Sequence, residues 1–174
     1  GLQSLVTIYG KMNGFKFNLG GANIASRLIN LKPGGQITGF EIFNSPGQSN
    51  AYQYGFCAMC VVASSDNVIQ GKFYDMDLTA SVALYGDIAP FTILDSTSVD
   101  IRVNAKLRSI ASNTATFLHA AKSDKIFIRD GIYEEVGGNF MNFDSRNSNF
   151  TVERNFVNVT RAIGDNGIFM LNNQ

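Results

Sequence analysis

Cys57-Ala58-Met59-Cys60 has the spacing of a C-x-x-C pair. At a helix N-terminus that spacing makes a redox couple, and in a hairpin knuckle it supplies half of a zinc site. Here it falls inside the apolar run "YQYGFCAMCVVA", which reads as a strand, where positions three apart face opposite sides of the sheet. The two sulfurs are therefore expected to point apart and to act as small buried apolar groups. With only two cysteines in the chain, no second pair completes a metal site. His119 is the only histidine. A Ser–His or Cys–His nucleophile would have to use it, and no serine or cysteine stands in an elbow or oxyanion context. It reads as a structural or surface histidine. Asp75/Asp77 and Glu134/Glu135 offer paired carboxylates. The first pair lies on one face of an alternating stretch, which suits a weak cation site or a solvated strand face. "LKPGGQ" has two glycines but lacks the Lys-Ser/Thr of a phosphate loop and opens a strand, so it reads as a turn. Tyr9, Tyr52, Tyr54 and Tyr74 are the candidate aromatic platform for a sugar, in a chain without tryptophan. No enzyme motif survives this reading, and no catalytic residue, metal or cofactor site is assigned.

The elements that would hold these side chains have a dominant period of two. In "SVDIRVNAKLR", Val99, Ile101, Val103, Ala105 and Leu107 point one way, and Asp100, Arg102, Asn104 and Lys106 the other. "GQITGFEIFN" and "FKFNL" behave similarly. "FTVERNFVNVTRAI" alternates until its phase slips near Asn155–Phe156, which predicts a bulge. The run over residues 52–62 is apolar on both faces, so both faces must be covered, by the chain itself or by a neighbouring subunit. "NIASRLINL" places Ile24, Leu28 and Leu31 at helical spacing and predicts a short helix. "LRSIASNTATFLHAA" fits a helix or a strand. Gly/Pro/Asn punctuation ("KPGG", "SPGQ", "SSDN", "RDG", "VGGN", "GDNG") separates about eight to ten short strands, the signature of a sandwich or barrel. No internal repeat stands out.

The chain has 174 residues, and 1–174 reads as a single domain able to bury its own core. Charged residues are only 16% of it, against roughly 25% in ordinary domains. Asparagines (Asn13, Asn18, Asn44, Asn50, Asn147, Asn149, Asn172, Asn173) supply part of the missing surface polarity. Surface covered by partners would supply the rest. The 14 basic and 14 acidic residues balance and are scattered, which argues against a tight electrostatic grip on nucleic acid. No apolar run approaches a membrane span. The cysteine content fits a reducing compartment. The sequons at Asn149 and Asn158 are expected by chance in an Asn-rich chain and are read as unmodified.

Gly1 and Gln174 match the ends left when chymotrypsin-like cysteine proteases of picorna-like viruses cut a polyprotein between glutamine and a small residue. The run "LINLKPGGQITGFEIFNSPGQSNAYQYGFCAMCVVASSD" resembles the early strands of picorna-like plant-virus coat proteins of the secovirid family. "FVNVTRAIGDNGIFMLNNQ" is similar to their closing strand and extension. Residues 70–129 match only loosely. A single-domain product of this size suits the small coat protein of the cheraviruses, whose shell uses three separate coat proteins. The resemblance implies an all-β, antiparallel, eight-stranded jelly-roll sandwich with one or two short helices. It also implies a capsid role in the virion, after assembly in host cytoplasm, with other viral coat proteins as partners and the enclosed RNA contacted weakly or incidentally. The chain lacks the basic terminal arm some plant viruses use on RNA. Neither a membrane nor a small-molecule substrate is implied. The alternative is a ligand-binding β-sandwich, either a lectin-like module or a trimeric phage-fibre head. A hydrolase using Asp75, Asp77 or His119 ranks below both.

Overall fold

The computed structural model describes residues 4–20, 27–45, 57–77, 91–109, 117–136, 141–144, 148–159 and 169–172, and every regular element among them is a strand. In chain order these are β1 (Ser4–Ile8), β2 (Lys11–Asn13), β3 (Lys16–Asn18), β4 (Arg27–Leu31), β5 (Gln36–Ser45), β6 (Cys57–Val62), β7 (Ser65–Asp77) and β8 (Phe91–Leu94). They continue as β9 (Thr97–Ser109), β10 (Leu118–Ala121), β11 (Asp124–Arg129), β12 (Ile132–Val136), β13 (Met141–Asp144), β14 (Ser148–Glu153), β15 (Phe156–Val159) and β16 (Phe169–Asn172). One sheet has seven strands in the order β1-β4-β6-β8-β10-β13-β16. The other has nine, running β14-β11-β9-β7-β5-β2, with β3 beside β5 and β12 beside β9 and β15.

Among the described residues, every strand pairing in both sheets is parallel. This overturns the antiparallel jelly roll. The chain winds as a solenoid: a short strand of the first sheet, a corner, a longer strand of the second sheet, and a return to the first sheet one layer further on. A parallel pair needs a long crossover, usually a helix. Here the crossover is the rest of the coil, and it carries the other sheet's strand. The winding also replaces the expectation of no repeat. The structural repeat is one coil, 23 residues between partners at Ser4–Arg27 and Leu118–Met141 but 32 at Met59–Phe91. A variable period hides it from self-comparison of the sequence.

Parallel register stacks like side chains along the solenoid axis. Ile37, Ile69, Ile101 and Ile128 occupy successive layers of the second sheet and are fully buried. Leu31, Val61, Ile93 and Ala120 do the same in the first sheet. Phe73 joins the two walls, with ring centroids 5.2 Å from Phe40, 5.1 Å from Phe117 and 5.9 Å from Phe91.

The corners repeat as well. Ala63, Asp95 and Lys122 take left-handed φ, and each precedes a buried serine (Ser64, Ser96, Ser123). The serines form a ladder: the Ser64 N–H donates to Ser96 Oγ at 3.2 Å, and the Ser96 N–H to Ser123 Oγ at 3.1 Å. A second left-handed stack comes next at Asp66, Ser98, Lys125 and Asn149. At the far end of β11 and β14, Asp130 and Arg154 are left-handed again. There Asn155 ties neighbouring coils, accepting from the Gly131 N–H and donating to the Ile128 carbonyl, both at 2.9 Å. The phase slip expected as a bulge near Asn155–Phe156 is this corner.

The helix expected over "NIASRLINL" is not formed in its described part, because Arg27–Leu31 is β4; Ile24 lies outside the described residues. "LRSIASNTATFLHAA" contributes the end of β9 and all of β10. Cys57–Val62 is dry on both faces, as its composition requires, and it reaches that burial within one chain, so the cover is the chain's own.

Candidate functional site

The outer face of the second sheet carries an open groove enclosing about 500 Å3, lined by Glu41, Lys72, Tyr74, Asn104, Lys106, Ile132 and Glu134 over a floor of Phe73 and Ala105. Its walls come from the outward positions of four strands. Register puts Lys16, Glu41, Lys72 and Asn104 in one row on β3, β5, β7 and β9. Phe43 and Tyr74 form a pair in the next row, and Lys106 faces Glu134 across β9 and β12. Two irregularities open the surface. The left-handed Asp75 shifts the β7–β9 register beyond Phe73, and β12 pairs with β9 only at Tyr133 and Glu134 after the Asp130 corner.

Charges in the groove are unevenly satisfied. The Glu41 Oε2 lies 3.3 Å from the Lys16 Nζ and accepts the Tyr74 hydroxyl at 3.3 Å. Desolvation and the Glu41 carboxylate hold the Tyr74 phenol above its ordinary pKa, so it remains a donor. The Tyr74 and Phe43 rings stack 4.8 Å apart with an interplanar angle of 3°. Asn104 Oδ1 accepts the Ile132 N–H at 2.9 Å. Among the described residues Lys72 and Glu134 make no ion pair, and Ile132 is 46% exposed.

Of the described residues singled out in the sequence, the structure brings Tyr74 and Glu134 into this groove and leaves Cys57, Cys60, His119, Asp75 and Tyr9 outside its lining. Cys57 and Cys60 are joined as a disulfide, with Cα atoms 5.8 Å apart, which corrects the expectation that their sulfurs diverge. The chain bends across these positions, because a flat strand would hold the Cα atoms roughly 10 Å apart. A disulfide also removes the basis for assigning a reducing compartment. His119 is buried on the first sheet beside Thr92, and its Nδ1 has no hydrogen-bond partner among the described residues. Asp75 is half-buried at its irregularity, and the register shift there breaks the simple alternation that paired it with Asp77. The Asp77 and Glu135 side chains, Tyr52, Tyr54, Gly1 and Gln174 lie outside the described residues, and Tyr9 is 73% exposed next to β1. Among the described residues no group of three or more His, Cys, Asp or Glu is placed to hold a metal ion.

Sequence reading missed Glu41, Phe43, Lys72, Asn104 and Lys106. They are outward positions of "FEIFN", "GKFYD" and "VNAK", ordinary solvated residues until parallel register lines them up. No protein-family model, curated protein or solved structure matches this chain.

Proposed function

We propose that this chain is a saccharide-binding β-solenoid whose groove holds an extended glycan. The observation that carries the reading is the groove itself: a shallow channel of hydroxyl, amide, carboxylate and ammonium groups beside the Phe43–Tyr74 stack. Sugars present hydroxyls around the ring edge and apolar C–H faces. A site with dispersed hydrogen-bonding groups and one aromatic wall serves both. This keeps the ligand-binding alternative, moved from a sandwich to a solenoid. The coat-protein role came from the ends Gly1 and Gln174 and from the resemblance of two sequence runs, and the antiparallel jelly roll that resemblance implied is not the fold of this chain.

Binding without hydrolysis fits the carboxylate positions. Glu41 and Glu134 stand on β5 and β12, separated by β7 and β9. Three strand spacings put their backbones on the order of 14 Å apart. Glycosidase pairs work at roughly 5–5.5 Å or 6.5–9.5 Å.

The test is affinity electrophoresis and calorimetry against a panel of soluble polysaccharides. Binding to at least one is expected. Tyr74→Ala should weaken it about tenfold, equivalent to roughly 1.4 kcal/mol. No binding across the panel, or undiminished binding by Tyr74→Ala, would overturn the proposal.

A further inference from the structure

If the groove holds a saccharide, its charges narrow the class of saccharide, an assignment that rests on the binding role proposed above. Three observations converge on Lys72. It is an inner member, third of four, of the Lys16–Glu41–Lys72–Asn104 row. Its neighbour Glu41 has Oε2 engaged by Lys16 and Tyr74, and its neighbour Asn104 has Oδ1 engaged by the Ile132 N–H. Lys72 itself is exposed, lines the groove and has no ion pair among the described residues. One carboxylate, Glu41, thus stands between two ammoniums and pairs with Lys16, so the row carries one positive charge in excess, and the Lys72 ammonium brings three donors into the channel. A neutral sugar would leave that excess charge in the row unmatched, whereas an anionic substituent would meet it.

The row also fixes a direction. Outward side chains repeat at about 4.8 Å from strand to strand but at roughly 6.6 Å along one strand. The shorter repeat is close to the length of one pyranose unit in an extended chain. A glycan lying along the solenoid axis therefore presents one sugar per coil, whereas one lying along a strand falls out of step.

We infer that the groove binds an extended anionic polysaccharide along the solenoid axis, one sugar per layer, with a carboxylate or sulfate substituent on the Lys72 ammonium.

Length-matched β-1,4-linked oligosaccharides of two to eight units provide the test, in neutral (cello-oligosaccharide), carboxylated (oligoglucuronate) and sulfated forms. Calorimetry is run on the full chain, its Lys72→Met and Lys72→Arg variants, and Tyr74→Ala. Lys72 is on the surface, so Lys72→Met keeps the aliphatic stem and is expected to fold. One or both anionic series should bind roughly ten- to hundredfold more tightly than the neutral series. Lys72→Met should abolish that preference, Lys72→Arg should keep most of it, and added salt should weaken it. The two anionic arms decide between carboxylate and sulfate. Affinity should climb with length to about four units, the number of side chains in the row. Equal binding of neutral and anionic series, or a preference untouched by Lys72→Met, overturns the anionic assignment. If neutral oligomers still bind through Tyr74, the saccharide role stands alone. Affinity that stops rising at two units overturns the axial placement. Failure of all three series overturns the anionic assignment, and the saccharide role falls with it only where the polysaccharide panel also shows no binding.

Discussion

Asp100 accepts from two guanidiniums at once. Arg129 reaches its two oxygens at 3.0 and 2.8 Å, and Arg102 at 3.3 and 2.6 Å. Burial opposes ionisation here, but the donors from Arg129 and Arg102 outweigh it and hold the carboxyl below its usual range. A carboxyl depressed in the folded state contributes stability above its unfolded pKa, near 3.9, and loses it as pH falls through the folded value. Asp100→Asn should therefore cost about 1 kcal/mol at neutral pH, once the exposure of the guanidiniums is discounted. It should also flatten the fall of the urea midpoint between about pH 5 and pH 3. An equally steep fall in the variant would show that other carboxylates govern acid unfolding. The disulfide belongs to the same scale. Cys57 and Cys60 close a very short loop, so on the chain-entropy account their link is worth about 2 kcal/mol, less than a long-range bridge. Both residues are buried. Native protein treated with reductant and an alkylating agent should stay unlabelled by mass spectrometry, and labelling should appear only in denaturant. Rapid labelling of the native state would contradict the buried link.

At the scale of elements, the corners decide the winding. Asn67 is buried and donates from one amide to the Lys32 and Gly35 carbonyls, each at 3.0 Å, pinning its own coil to the corner before it. Asn67→Ala should cost about 1–3 kcal/mol, with little change in the urea m-value, because the buried Gly35 carbonyl and the half-buried Lys32 carbonyl both lose the side-chain donor that bridges them. Asn67→Asp should be worse, since a carboxylate cannot donate and would be buried with its charge. Equal stability of Asp and Asn at this position would refute the anchoring role. Strand legibility in the sequence was good for the same reason the corners were hard to see. "SVDIRVNAKLR" alternates because β9 has one wall in the core and one in water, and the buried set Val99, Ile101, Val103 and Ala105 is the one its spacing gives. Alternation carries no strand direction, however, so the pattern that identified β9 fitted an antiparallel jelly roll equally well. Direction is written in the corners, in Ala63-Ser64, Asp95-Ser96 and Lys122-Ser123, where a serine recurs but the residue in the left-handed position varies while its backbone conformation repeats. The left-handed position takes Ala, Asp or Lys, not a uniform glycine, and the serine after it is a single common residue recurring at unequal spacing, so the corner does not stand out in the sequence. The groove was illegible in consequence: Glu41 and Lys72 are 31 positions apart in sequence and become neighbours only through β5–β7 register.

For the molecule as a whole, a solenoid is close to one-dimensional, and each coil draws its stability from the layers above and below. The layers are not equivalent. β7 and β9 lie inside the second sheet and pair along almost their whole length, from Ser65–Thr97 to Asp77–Ser109. β14 ends the sheet order, and its inward-phase Phe150 and Val152 are each 37% exposed, although they stack on Ile126 and Ile128, which are fully buried. An end layer of this kind keeps its contacts on one side only. Its opening should therefore cost a fraction of the global unfolding free energy, while β7 and β9 should open only with the whole. Amide hydrogen exchange read by mass spectrometry should show protection highest in peptides covering β7 and β9, falling through β11 and lowest in β14. Core truncations should follow the same gradient. Ile101→Ala is expected to cost about 2–5 kcal/mol, and Val152→Ala closer to 1, because a half-exposed site loses less burial and leaves no enclosed cavity. Uniform protection across all layers would mean that the coils unfold as one cooperative block, and the nearest-neighbour description of this chain would have to be abandoned.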